Sequence, residues 1–199
     1  KVRVASVTPW YMNIKRNYSG NNGGGIFRNS VDGWYERLNF ISNKAEEGGG
    51  ALYSASDGAN TTFMNLAFRA NVASHGGALF TIKGVINIQG SLFSGNYAST
   101  AGGAIYNGTL VSSCLNCRIF LYHCTLSGND ASNGGSAVYN NTIANNAILN
   151  SIVWNNSSAG GQVVNVSTQT EYTSSILEGG FDTRNKNINN SVSVDPLFI

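Results

Sequence analysis

Hydrophobic and polar positions alternate along this chain in short bursts parted by Gly, Asn and Ser. Ala78 to Ile82, Val85 to Gln89 and Ser91 to Phe93 are three such bursts in immediate succession. Each is short and has a period near two, the signature of half-buried β-strands. An amphipathic helix needs a much longer run with a 3.6 period, and no stretch supplies one. The pattern therefore predicts an all-β protein with about three short strands per unit.

The bursts recur with two motifs. Gly102-Gly103-Ala104-Ile105-Tyr106 is the cleanest copy of the first. Gly48-Gly49-Gly50-Ala51-Leu52-Tyr53 and Gly76-Gly77-Ala78-Leu79-Phe80 precede it, and Gly134-Gly135-Ser136-Ala137-Val138-Tyr139 follows. The second motif reads Phe40-x-x-Asn43, Phe68-x-x-Asn71, Phe93-x-x-Asn96, Leu126-x-x-Asn129 and Val153-x-x-Asn156. Its Asn precedes the Ala of the Gly-Gly motif at an almost constant interval: Asn43 and Ala51, Asn71 and Ala78, Asn96 and Ala104, Asn129 and Ala137. Two motifs held in phase define a repeat protein. Leucine-rich units would show Leu spaced through each period, and a propeller blade needs about 40 residues. The architecture left is a right-handed parallel β-helix of about six to seven coils, one period per coil.

In that fold equivalent residues stack about 4.8 Å apart. Ala51, Ala78, Ala104 and Ala137 are expected to form an inward ladder of small residues. Strict alternation puts the following Tyr53, Phe80, Tyr106 and Tyr139 on the same face as the Ala ladder, and Leu52, Leu79, Ile105 and Val138 on the other. Asn43, Asn71, Asn96, Asn129 and Asn156 share one phase, where stacked carboxamides bond from coil to coil. Residues 23–199 carry the repeat. Residues 1–22 fit it poorly and read as an N-terminal cap or incoming strand, with Trp10 and Tyr11 covering the end of the stack. The third period is long because of an insertion near Asn107 to Arg118, read as a loop projecting from one corner.

Composition narrows the function. Charged residues make up 11% of the chain and net charge is +2, with no basic stripe to hold nucleic acid. Asparagine is abundant, and a hydrophobic content of 42% suffices for a core. No apolar stretch is long enough for a transmembrane helix. The chain opens at Lys1 without initiator Met or signal sequence, and reads as a processed product or an excised piece. Cys114, Cys117 and Cys124, with His123, could supply four zinc ligands, but one disulfide or none, and a core thiol, is the stronger reading. No metal and no cofactor is expected.

The Gly-Gly-Ala-Ile/Leu motif paired with Phe-x-x-Asn resembles the repeats of the polymorphic outer membrane proteins of chlamydiae, autotransporters whose β-helical passenger acts in adhesion. The ending, Asn150 to Asn156, Ser174 to Leu177 and Val194 to Phe198, resembles right-handed β-helix regions of large secreted and surface proteins of Bacteroidota-type bacteria. The resemblances cover roughly residues 23 to 199. They imply an extracellular or bacterial cell-surface location and a non-enzymatic adhesin or structural surface module. The partners implied are a host-cell receptor or glycan and the rest of a larger parent chain or surface complex.

Parallel β-helices also carry polysaccharide lyases and hydrolases, which gather carboxylates on one face. None of the ten acids stacks on another here: Glu46 and Glu47 fall opposite Ser74 and His75, and Asp182, Arg184 and Lys186 read as a solvated turn. The cluster suited to a ligand is Asp32, Trp34, Tyr35, Glu36 and Arg37, where adjacent aromatics and opposite charges could stack on a sugar ring and bond its hydroxyls. At the ends, Lys1 to Asn22 is expected to blunt an open strand edge, and Val192 to Ile199 to need a partner.

Overall fold

The computed structural model describes residues 11–29, 32–55, 60–110, 114, 116–166, 169–178, 185–188, 192–193 and 195–196, the stretch 185–188 by its backbone. Twenty-five strands and no helix are present among these residues. Every strand pairing is parallel and joins equivalent strands of successive coils, so the chain is a parallel β-solenoid.

A full coil has four strands where the sequence pattern predicts about three. The coil from residue 38 shows the plan. Leu38–Ile41 lies in a first, seven-stranded sheet; Lys44–Ala45 in a short second sheet of five; Leu52–Ala55 in a third of six; Asn60–Met64 in a fourth of seven. The strand the pattern misses is the second one, seen at full length as Tyr97–Ala101, a run dominated by small residues. Met12–Lys15 and Tyr18–Ser19 already stack in register on the next coil. Tyr11 is exposed, and residues 1–10, Trp10 included, lie outside the described residues. At the other end Val192 bridges to Ile176 and bonds the backbone of Ser175 and Leu177, while most of the remaining C-terminal residues lie outside the described ones.

The interior is built of columns. Phe40, Phe68 and Phe93 stack with ring centroids 4.9 and 4.6 Å apart and planes within 10° of parallel, followed by Leu126, Val153 and Leu177. Leu52, Leu79, Ile105 and Val138 face them from the third sheet, and Phe63, Ile88, Leu121, Ile148 and Tyr172 from the fourth. All belong to one buried core with Ala51, Ala78, Ala104 and Ala137. The sequence-based facing is thereby corrected. The chain turns at each Ala before the strand begins, so Ala and the next aliphatic both point inward, and the aromatic points out. Phe80 and Tyr106, with Tyr53 and Tyr139 against them, form a separate outer cluster.

The asparagine column forms as expected and starts one coil earlier, at Asn17. Asn43 Nδ2 donates to Asn71 Oδ1 (3.0 Å), Asn71 to Asn96 (2.9 Å), Asn96 to Asn129 (2.9 Å) and Asn129 to Asn156 (2.8 Å). Each Oδ1 also accepts the backbone N–H of the preceding Asn, and each Nδ2 reaches a carbonyl of the previous coil, as Asn96 does at Phe68. These buried side chains thus satisfy one another at a corner where the strand ladder breaks.

Three corners of the coil turn through a left-handed residue. At the third this is a Gly, at φ 65° in Gly49, 59° in Gly76 and 72° in Gly102. The second x of Phe-x-x-Asn sits at another, as Ser42, Ala70, Gly95, Gly128 and Asn155; Arg37, Asn65, Gly90, His123, Asn150 and Ser174 sit at the remaining one. Ala70 (φ 52°) carries a Cβ there that costs about 1–2 kcal/mol, against about 0.5–1 kcal/mol of extra chain entropy lost by Gly. Ala70→Gly is therefore expected to leave stability unchanged or raise it by up to about 1 kcal/mol in urea unfolding, the reverse of the usual effect of Gly in a β-protein.

Candidate functional site

The cluster at residues 32–37 is divided by its strand. Gly33–Glu36 lies in the fourth sheet, where neighbours alternate between faces. Tyr35 registers with Phe63 in the interior column and packs 5.3 Å from that ring, with the Arg28 guanidinium 5.9 Å from the Tyr35 centroid. Trp34 points outward and is 58% exposed. Asp32 accepts the backbone N–H of Asn60 (2.7 Å), and Glu36 pairs with Arg37 (3.4 Å) at the surface. Trp34, Glu36 and Arg37 thus remain at the outer face, while Tyr35 serves the core and Asp32 ties two coils together.

The cysteines are separated too. Cys114 and Cys117 form a disulfide, and Cys124 is a free, buried thiol. Cys124 occupies a column that runs Leu38, Leu66, Ser91, Cys124, Ser151 and Ser175, with serines directly above and below it: Leu66 N–H bonds Ser91 Oγ, Cys124 N–H bonds Ser151 Oγ and Ser151 N–H bonds Ser175 Oγ. Among the described residues no three His, Cys, Asp or Glu side chains converge as metal ligands. Burial pushes the Cys124 thiol up to about 11, so it stays protonated and inert at neutral pH. We expect no reaction of native protein with a thiol reagent at pH 8 and full reaction after unfolding. Cys124→Ser, which matches the serines above and below it, should change stability by less than about 1 kcal/mol.

Of the insertion read as a projecting loop, residues 111–113 and 115 lie outside the described residues, and Thr109, Cys114 and Cys117 are tied to the next coil. The single Thr142 Oγ1 hydrogen is shared between the carbonyls of Cys114 (2.7 Å) and Cys117 (2.9 Å), and Asn141 Nδ2 donates to the carbonyl of Thr109 (2.6 Å). Cys117 is fully buried. The carboxylates are engaged one at a time. Glu46 takes Lys44 at 2.9 Å, a hydrogen bond that lowers the acid's pKa and raises the amine's, and Glu178 takes the Asn155 N–H and the Gln162 amide. Asp182 and Arg184 lie outside the described residues, as does the side chain of Lys186.

Thr109 and Leu110 close one side of a cleft of about 220 Å³ on the outer face of the third sheet. Tyr53 and Phe80 line it with rings 5.3 Å apart and 83° to each other. Ile82, Thr109 and Leu110 form a further wall, and Glu47 and Asn22 stand at the rim, Asn22 Nδ2 donating to Glu47 Oε2 at 3.0 Å. Phe27, 56% exposed, stacks on Tyr53 at 5.0 Å and extends the aromatic surface. Burial, then the Glu47 charge, raises the pKa of Tyr53, and burial lowers that of half-buried His75, beside Tyr106. This cleft escapes sequence reasoning because its residues come from four coils and its wall from the insertion.

Two segments match the model of the Chlamydia polymorphic membrane protein repeat, residues 37–55 and 90–108. Both begin at the same left-handed corner, Arg37 and Gly90, and both end at the same register of the third sheet, Ala55 and Gly108. Each matched segment thus spans three consecutive sides of this solenoid's coil. The chain is a polymorphic membrane protein-like β-helix repeat protein. Neither a curated protein nor a solved structure matches it. The repeat indicates an outer-membrane or cell-surface location. No helix among the described residues is long and apolar enough to cross a membrane.

Proposed function

We propose that the chain is a non-enzymatic module of a bacterial surface protein, part of a larger exposed stalk that acts in adhesion to a host-cell receptor or glycan. The observation that supports this most is where the repeated residues go. The Phe, Asn, Gly and Ala of the two motifs are consumed in stacking one coil on the next, leaving the outward-facing positions free to vary. The described carboxylates do not gather on one face, which is what acid–base cleavage of a polysaccharide asks for. Beads coated with the chain are expected to bind epithelial cells above albumin-coated beads, and equal binding would remove the adhesive role. Incubation with uronic-acid polysaccharides should release no unsaturated or reducing products; sustained turnover would replace this reading with that of a β-helix lyase or hydrolase. Trp34, at the outer face with Glu36 and Arg37, is the part of the Asp32–Arg37 cluster left to contact a sugar, and Trp34→Ala in the bead assay tests it.

A further inference from the structure

We propose that the outer face of the fourth sheet binds a neutral β-1,4-linked glycan chain lying along the solenoid axis. This ligand rests on the adhesive reading above and deepens it. Register places Trp34, Thr62, Asn87 and Phe120 in one outward-facing column on four successive coils. Gln89 and Tyr122 lie in the parallel column, two residues further along the same strands. Aromatic rings therefore stand at both ends of a strip. Trp34, 58% exposed, holds one end. Phe120 and Tyr122, both partly exposed, hold the other, with ring centroids 6.4 Å apart and planes within 28° of parallel. Between them lie Thr62, Asn87 and Gln89, partly exposed, whose side chains take no hydrogen bond among the described residues.

A hexose offers two kinds of surface. Its C–H faces are apolar and pack on aromatic rings, and its hydroxyls both donate and accept hydrogen bonds. A carboxamide answers the hydroxyls with two donors and an acceptor on one side chain. The strip presents these in the order a chain of sugars meets them: ring, polar side chains, ring. Trp34 and Phe120 are three coils apart, roughly 14 Å. A disaccharide is too short to cover both, and a longer chain covers both only if it runs straight. A β-1,4 linkage gives a straight, flat chain, and an α-1,4 linkage a coiled one. The strands beneath the strip run in unbroken register from Gly33 to Tyr122, so the surface is straight as well. Charge points to a neutral ligand, because Glu36, beside Trp34, is balanced by Arg37 at 3.4 Å. The strip ends at Phe120, since the next two residues of its column are Ala147 and Glu171, which carry no ring.

The test is calorimetric titration of the full chain with cellohexaose and with chitohexaose, two neutral β-1,4 chains. Saturable binding of at least one is expected, tighter than that of its disaccharide by on the order of tenfold or more. Trp34→Ala and Phe120→Ala should each weaken it by a similar factor, since each removes a ring from one end. Tyr97→Ala removes an exposed ring from the second sheet and should bind as the parent does. Unchanged circular dichroism of the three variants keeps folding out of the comparison. Maltohexaose, neutral but coiled, and hexagalacturonate, charged, should bind more weakly than the β-1,4 chains. Failure of both β-1,4 chains to bind overturns the proposal. So does a disaccharide that binds as tightly as its hexamer, full binding by Trp34→Ala, or a preference for maltohexaose or hexagalacturonate. Beads that bind epithelial cells while neither chain binds the protein would remove the strip as a glycan site and leave adhesion to a receptor standing.

Discussion

Asn96→Ala is expected to lower the stability of the solenoid by about 3–5 kcal/mol. Asn96 is 1% exposed and sits in the middle of the carboxamide column. Its Oδ1 accepts both the backbone N–H and the Nδ2 of Asn71, and its Nδ2 reaches Asn129 Oδ1 and the Phe68 carbonyl. Removing it strands two donors on Asn71 and frees acceptors on two coils, each costing about 1–3 kcal/mol when buried. Asn96→Asp distinguishes this account from a packing effect. It keeps shape and the acceptor side but turns a second oxygen toward Asn129 Oδ1 and the Phe68 carbonyl. It should be destabilised as severely as the Ala variant at pH 7, and part of that loss should return as the pH falls to about 4, because an acid buried among acceptors takes up its proton above the ordinary carboxylate range and can then donate again. Urea unfolding of the three proteins at pH 7 and pH 4 reads this out. An Asp variant as stable as the parent at pH 7 would mean the column is held by packing alone.

Gly77→Ala is expected to cost at least about 3 kcal/mol or to prevent folding. Gly95→Ala, by contrast, should cost only about 1–2 kcal/mol. The two glycines do different work. Gly95 has φ 62° and open space around its missing Cβ, so the added methyl meets only the left-handed penalty. A Cβ on Gly77 would lie 2.3 Å from the Gly103 carbonyl oxygen and 2.5 Å from that of Tyr97, backbone atoms that cannot move without parting the coils. Gly24, Gly50 and Gly103 make the same approach. The fourth copy has Ser136 at this place, and the hydrogen bond from its backbone N–H to the Gly161 carbonyl is stretched to 3.4 Å. Thermal unfolding of the two Ala variants should therefore differ by many degrees; similar midpoints would refute the close-approach role.

The stack is legible in the chain because a solenoid makes each residue's neighbour its own equivalent one period away. Phase alone therefore identifies the Asn column and its order. What phase does not contain is direction. The facing of Tyr53 against Leu52 depends on a bend at Ala51, and no residue type marks a bend in an Ala that looks like its strand neighbours. The second strand escapes for a related reason, since Tyr97 to Ala101 is mostly small and polar with little for a hydrophobic pattern to catch. The left-handed corners hide among ordinary residues, Arg37, Ser42 and Ala70, whose conformation is imposed by the coil above and below. The candidate ligand cluster is divided because adjacency in a strand places Trp34 and Tyr35 on opposite faces. The cleft is invisible because its parts are scattered from Asn22 to Leu110, with most of three coils between them.

The carboxamide column also sets how the protein yields under load. A pull applied along the solenoid axis falls on the bonds between coils, and the end coil, held on one side only, peels first. Each coil then releases as a unit, because its four strands, its Asn and its Gly corner all lose their partner together. One freed period lengthens the chain by roughly 80–120 Å, far more than the roughly 4.8 Å it occupied in the stack. A tether built on this plan gives way in steps and takes up slack at every step, with the remaining coils still carrying their outward faces intact.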